Sequence, residues 1–127
     1  MMKPSAVYWA GPFANQGLIW LMASRIASLY EIGWTSTWLS EDPDADYNPV
    51  DQADRDINDI VDADLLVLVL PDDADQCLRG AFWEVGFAHG IGKTVHIIGK
   101  PVKRNIFLWL PEFKRFDTLT EWEKQWN

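Results

Sequence analysis

Basic charge is scarce in this chain. Eleven lysines and arginines stand against nineteen aspartates and glutamates, a formal net charge of -8. A field of that sign repels nucleic acid polymers and anionic membrane surfaces, so neither is expected as a partner, whereas a neutral small molecule is not excluded. Cysteine is nearly absent: Cys77 stands alone, no internal disulfide can form, and a reducing, cytoplasmic setting is expected. No stretch of 18 apolar residues is present, so no transmembrane helix is expected. No segment reads as a signal peptide, since Pro4 and Pro12 interrupt the opening residues. The two histidines, His89 and His96, are too isolated to suggest metal ligands. There is no GxxxxGK[ST] phosphate loop, and the AGPFANQG turn lacks the repeated glycines of a dinucleotide fingerprint. Neither metal nor cofactor is therefore expected. Linkers, repeats and low-complexity tracts are missing too, and 127 residues fit one domain spanning 1–127.

Apolar residues, by contrast, make up 48% of the chain, and eight are tryptophans, enough for a substantial core. Short apolar runs alternate with amphipathic stretches, the pattern of a parallel α/β sheet. Strands are expected at Ala6–Ala10, Trp34–Leu39, Leu65–Leu70 and Thr94–Ile98, with a fifth edge element near Lys114–Phe116. Leu65–Leu70 is six consecutive apolar residues closed by Pro71, which reads as a strand buried on both faces.

Helices are expected at Gln16–Tyr30, Val50–Val61, Gly80–Gly90 and Thr118–Gln125. In the first, Leu18, Met22, Ile26 and Leu29 recur at helical spacing. In the second, Val50, Ala53, Ile57 and Ile60 form the buried face, while Asp51, Asp54, Arg55, Asn58 and Asp59 look outward. Gly90 or Gly92 stops the third, and Thr118 or Thr120 caps the last. The polar Ser40–Pro49 stretch is a long loop whose aspartates and Tyr47 are able to reach a site.

Open sheets of this kind bind ligands at the carboxyl ends of their strands. That rule selects the Gly11–Asn15 turn, the Asp72–Gly80 loop and the start of the following helix. Glu84 lies near that start, among Phe82, Trp83, Val85 and Phe87. It either complements the helix dipole or is a carboxylate held for chemistry. Asp56 borders the buried stripe of its helix and is either a solvated flank or a second functional acid. Asp72, Asp73 and Asp75 cluster after the third strand, where a polar loop is a better reading than a metal site. Cys77 has no supporting histidine pattern for thiol chemistry.

Three segments, VYWAGPF (Val7–Phe13), DINDIVDADLLVLVLP (Asp56–Pro71) and GAFWEVGFAHGIGK (Gly80–Lys93), together resemble the nucleoside 2-deoxyribosyltransferase family. The resemblance implies a flavodoxin-like, three-layer fold with a mainly parallel sheet of about five strands. It implies that Glu84 is the nucleophile that holds the sugar covalently, that Tyr8 positions it, and that Asp56 binds the base and handles its proton. Gly11, Phe13 and Gly80 belong to the substrate-binding turns in this reading. The family's second base-binding aspartate falls on Leu78, so that Asp75, or another of the aspartates at 72 and 73, takes its place. Asn105, in KPVKRNIFLWL, matches a segment that reaches the neighbouring subunit's site, which implies a homodimer or higher homo-oligomer.

The implied substrates are a nucleoside and a nucleobase, with transfer of 2-deoxyribose between bases. The competing expectations are hydrolysis of a nucleoside or nucleoside 5′-monophosphate, with Arg79 as a phosphate partner, and a non-catalytic nucleotide-sensing module.

Overall fold

In a computed structural model, which describes residues 1–72, 76 and 78–127, five parallel strands form one sheet. They are β1 (Ala6–Ala10), β2 (Gly33–Trp34), β3 (Leu65–Val69), β4 (Thr94–Ile98) and β5 (Lys114–Phe116), in the order β2-β1-β3-β4-β5. The helices are α1 (Gln16–Tyr30), α2 (Pro49–Asp62), α3 (Gly80–Gly90) and α4 (Leu119–Glu123). The strand order reverses between β1 and β3, where Val7 pairs with Leu65 and Ala10 with Leu68. The three-layer α/β fold expected from the sequence is therefore present.

Successive side chains of β1 point to opposite faces of the sheet. Trp9 meets Trp122 of α4 edge-on, at 5.4 Å between ring centroids, and Arg25 of α1 grips Glu123 of α4 at 2.9 and 3.1 Å. Tyr8, on the other face, reaches α3. Helices α1 and α4 thus cover one face and α2 and α3 the other. His96 of β4 is buried on the Trp122 side, where its Nδ1 accepts the indole N–H at 3.0 Å. Burial, chiefly, holds its pKa down at about 4, so it is a neutral core residue.

Most element boundaries match expectation; several surfaces do not. The Trp34–Leu39 strand is corrected: β2 ends at Trp34, and Thr37–Ser40 is a 3-10 turn. The cause is a handover from backbone to side-chain hydrogen bonding. Ser36 Oγ accepts the Trp9 N–H at 3.2 Å, and the Trp38 indole donates to the Trp9 carbonyl at 2.8 Å. These two side chains satisfy the edge of β1, and the backbone is free to turn. The expected β3 loses Leu70, and the closing helix shortens to α4 followed by a 3-10 turn at Lys124–Trp126, with Thr118 as its cap.

On α1 the buried stripe is Ile19, Ala23 and Ile26, whereas Leu18 and Leu29 are exposed. On α2 Val50 and Ala53 are exposed, correcting the expected buried face, and only Ile60 is fully buried. Asp59 is half-buried rather than outward, because its carboxylate accepts from the Thr37 N–H and hydroxyl at 3.0 and 2.7 Å. The helix is rolled toward the β1 edge, which brings its polar residues over the end of the sheet.

Ser36→Ala removes the partner of a buried backbone N–H without changing volume. The expected loss is about 1–3 kcal/mol of unfolding free energy, read as a lower denaturation midpoint at unchanged slope.

Candidate active site

A cavity of about 800 Å³ opens at the carboxyl ends of β1 and β3. Its lining includes Tyr8, Gly11, Pro12 and Phe13 from the β1 end, and Leu78, Arg79, Gly80, Ala81 and Glu84 from the α3 side. Gln52, Arg55 and Asp56 of α2, with Glu41–Asn48 residues of the preceding loop, complete it. The three places selected by the strand-end rule are thus gathered into one site.

Gly11 is required by close approach. A Cβ there would lie 2.5 Å from Ile19 Cδ1 and 3.1 Å from the Val69 carbonyl oxygen. Phe13 is exposed and tilts against Trp38, 6.2 Å between centroids, forming an aromatic rim. Gly80 opens α3 beside the cavity, and a Cβ there would meet nothing within 4 Å.

Glu84 is the fifth residue of α3, and the helix has no acidic residue in its first turn. Dipole complementation, which falls off within the first turn, therefore does not explain it. Its Oε2 accepts a hydrogen bond from the Tyr8 hydroxyl. Burial pushes the Glu84 carboxyl up to about 7; the Tyr8 bond pulls the other way, and the nearby Asp56 charge adds to the rise. Tyr8 is fully buried, and burial together with the Glu84 and Asp56 charges raises its pKa far above the ordinary phenol value. It remains a donor at any working pH.

Asp56 is half-buried, and desolvation raises its pKa to about 6 against the opposing hydrogen bond from Gln52. The Gln52 amide donates to Asp56 Oδ1 at 3.1 Å and to Glu41 Oε1 at 2.9 Å. Arg55 pairs with the same Glu41 oxygen at 2.9 Å. Gln16 of α1 holds the loop from below, donating to the Trp38 and Glu41 carbonyls at 2.6 and 2.8 Å. The Ser40–Pro49 loop is therefore tied down at one end by side chains, and at the other by Asn48, whose carboxamide caps α2 through Val50 N and Asp51 N.

The structure does not bring every expected residue together. Asn105 lies outside this cavity, in a separate apolar groove of about 530 Å³ with Phe82, Val85, Ile106 and Phe107. Asp73, Asp75 and Cys77 lie outside the described residues. Asp72 is exposed and does not line the cavity. Leu78 does line it, and is buried. Among the described residues no group of three or more acidic, histidine or cysteine side chains is placed to hold a metal. No described helix is long and apolar enough to cross a membrane. Sequence reading passed over Gln16, Glu41 and Gln52. Only the spacing of Gln52, four residues before Asp56, signalled a partnership.

No protein-family model matches the sequence, and no curated protein does either. Solved structures do match in shape. A 2-deoxyribosyltransferase of Bacillus psychrosaccharolyticus superposes with a TM-score of 0.69 at 19% identity, over 93% of this chain and 90% of that one. A CMP N-glycosidase of Clostridium botulinum gives 0.59 at 12% identity, over 94% and 96%. A 2-deoxyribosyltransferase of Leishmania mexicana gives 0.60 at 18% identity, over 75% of this chain and 64% of that one.

A raised carboxyl pKa has a cost in stability. Protonated Glu84 suits the fold; as pH rises through about 7 the half-buried side chain ionises and that contribution is lost. Glu84→Gln is expected to be the more stable protein at pH 8, by up to roughly 3 kcal/mol. The gain should shrink toward zero as pH falls to about 4.5, in denaturant titrations run across that range. The cavity belongs to a chain that shares its fold with 2-deoxyribosyltransferases and with a CMP N-glycosidase.

Proposed function

We propose that the chain cleaves the N-glycosidic bond of a nucleoside through a covalent glycosyl-glutamate at Glu84 and passes 2-deoxyribose to a second nucleobase. The observation that carries this reading is the half-buried Glu84 carboxyl, held by the Tyr8 hydroxyl in a cavity whose wall presents Asp56. Tyr8 occupies Oε2 and leaves Oε1 for the sugar. Attack of Oε1 on C1′ breaks the C1′–N bond, whose electron pair leaves with the base. A proton from Asp56 goes to a ring nitrogen of that base, so it departs neutral. A second base then attacks C1′, the Glu84 carboxylate is released, and Asp56 takes back a proton. A carboxylate beneath the ring also stabilises the oxocarbenium charge that builds in both transition states.

Charge on the lining favours a nucleoside over its 5′-monophosphate. Glu41, Asp42, Asp46 and Asp51 face Arg55 and Arg79, and Arg55 is already paired with Glu41. At the start of α3 the Ala81 and Phe82 N–H groups donate to the Leu78 and Arg79 carbonyls, which removes two amide donors from any phosphate. The working unit in this reading is at least a homodimer, with Asn105 supplied to the neighbouring site. Ile106 and Phe107 beside it are 63% and 73% exposed, an apolar tip suited to a second copy. A monomer in sedimentation that retains full activity would remove this element.

Incubating a deoxynucleoside with a different free base is expected to yield a new nucleoside, resolved by chromatography. Glu84→Ala should abolish base release with the fold intact; retained activity would reject Glu84 as nucleophile, and free deoxyribose alone would make the chain a hydrolase.

The pH profile follows from the two acids. Glu84 reacts ionised, so its limb rises through about 7, and Asp56 reacts protonated, so its limb falls from about 6. The pair titrates jointly, and kcat/KM is expected to be bell-shaped with its maximum between those values. Asp56→Asn should remove the falling limb and shift the remaining rise to lower pH, because the Asp56 charge no longer opposes ionisation of Glu84.

A further inference from the structure

Gln52 stands four residues before Asp56 on α2, and both side chains line the Glu84 cavity. One atom of its amide lies 2.9 Å from Glu41 Oε1 and 3.1 Å from Asp56 Oδ1. Two carboxyl oxygens converging on that atom identify it as the nitrogen, since a flipped amide would set its oxygen against both. Glu41 is itself fixed by Arg55 at 2.9 Å, so the anchor does not swing freely. Both N–H donors of Gln52 are thereby engaged. Its Oε1, which accepts no hydrogen bond from a described residue, is the end left for a ligand. On Asp56 the Gln52 bond takes Oδ1 and leaves Oδ2. Adjacent positions on one helix face therefore present a fixed acceptor and a carboxyl oxygen that carries the proton when Asp56 is the acid.

We propose that Gln52 is a specificity-determining residue which, beside protonated Asp56, selects nucleosides whose base has an exocyclic amine next to an unprotonated ring nitrogen. This deepens the preceding reading and rests on Asp56 as proton donor. The 4-aminopyrimidine edge offers its ring nitrogen to the Asp56 O–H and its amine to Gln52 Oε1. The 6-aminopurine edge does the same with its amine and the neighbouring ring nitrogen. A 4-oxo or 6-oxo base sets a carbonyl oxygen against Gln52 Oε1, acceptor facing acceptor, and the ring N–H beside that carbonyl faces the Asp56 O–H, donor facing donor. Sites that hydrogen-bond a substrate group discriminate strongly against analogues that mismatch it, because buried polar groups are left unpaired. The edge that is matched is also the edge that receives the proton, so recognition and leaving-group activation use the same contact.

The test compares deoxycytidine with deoxyuridine and deoxyadenosine with deoxyinosine by initial rates of base release. Wild type is expected to favour the amino member of each pair by about tenfold or more in kcat/KM. In Gln52→Met both ratios should fall toward one. A general loosening of the loop would instead slow both members equally and keep the ratios, which would overturn the proposal. So would a wild-type preference for oxo bases, or for deoxyguanosine, whose paired N–H donors would require Asp56 to bind ionised. Calorimetric binding of free cytosine against uracil, and of adenine against hypoxanthine, asks the same question without turnover. Selective binding of the amino bases with no base release from any nucleoside would reject the catalytic reading and leave this one standing. Base release or binding without amino selectivity would reject this one alone.

Discussion

The packing of one half-buried carboxyl group against one buried phenol organises the site end of this molecule. Glu84 sits where desolvation opposes its charge, and the Tyr8 hydroxyl is the hydrogen bond that partly offsets the penalty. Tyr8 supplies that bond because β1 is an inner strand, paired with β2 on one side and β3 on the other, and every residue from Val7 to Ala10 is fully buried. A phenol on such a strand is positioned by the sheet rather than by its own torsions. It cannot ionise in a surrounding that already holds two carboxylates, so it is always a donor. The result is a carboxyl group with one oxygen fixed, one oxygen free, and a pKa near neutrality.

The second acid is set by different means. Asp56 is carried on α2, which is rolled so that Gln52 and Asp56 meet the cavity while Val50 faces solvent. The hydrophobic contribution of that roll is modest, since only Ile60 is fully buried on the helix. The polar contacts hold it instead: Asp59 to Thr37, Gln52 and Arg55 to Glu41, and Asn48 at the cap. The loop before α2 thus acts as a support for the acid rather than a free flap. It also brings the Glu41 carboxylate beside Asp56, whose charge adds to the rise of the Asp56 pKa.

The sheet was legible because its signals are local. Leu65–Leu70 and Thr94–Ile98 are apolar runs with polar boundaries, and α1 and α3 agree with the boundaries read from periodicity and glycine stops. What escaped were features fixed by tertiary hydrogen bonds. Ser36 and Trp38 look like strand residues, yet their side chains replace the backbone ladder of a strand that continues beyond them. On α1 Ile26 faces the sheet as its spacing suggests, but Ile19 takes the place of Leu18, and Leu18, Leu21 and Leu29 are all exposed, so the leucines of that helix point to the wrong face. In the site, Tyr8, Glu84, Asp56, Gly11, Phe13 and Gly80, the residues singled out through the resemblance, line one cavity. Gln52, Glu41 and Gln16 were invisible because an amide or carboxylate in a polar stretch carries no signal until its partner's position is known.

The same loop that leads into α3 carries a second departure from comfort. Arg79, immediately before Gly80, has φ of 45° and ψ of -111°, a conformation that L side chains rarely adopt and that costs about 1–3 kcal/mol. Its neighbour Leu78 is buried in the core, so the chain must turn sharply between an anchored apolar residue and the first turn of the helix. A gentler turn would move α3 relative to β1 and take Glu84 away from the Tyr8 hydroxyl. Strain in the backbone and desolvation of the carboxyl therefore have one structural origin, the placement of α3 over the end of an inner strand. Both are sustained by the buried β1, β3 and β4 strands, which do not line the cavity except at Tyr8. In this fold the core's surplus stability is what allows a carboxyl that titrates near neutrality to stand half-buried over the end of the sheet, and relieving either penalty would stabilise the protein at the expense of the site.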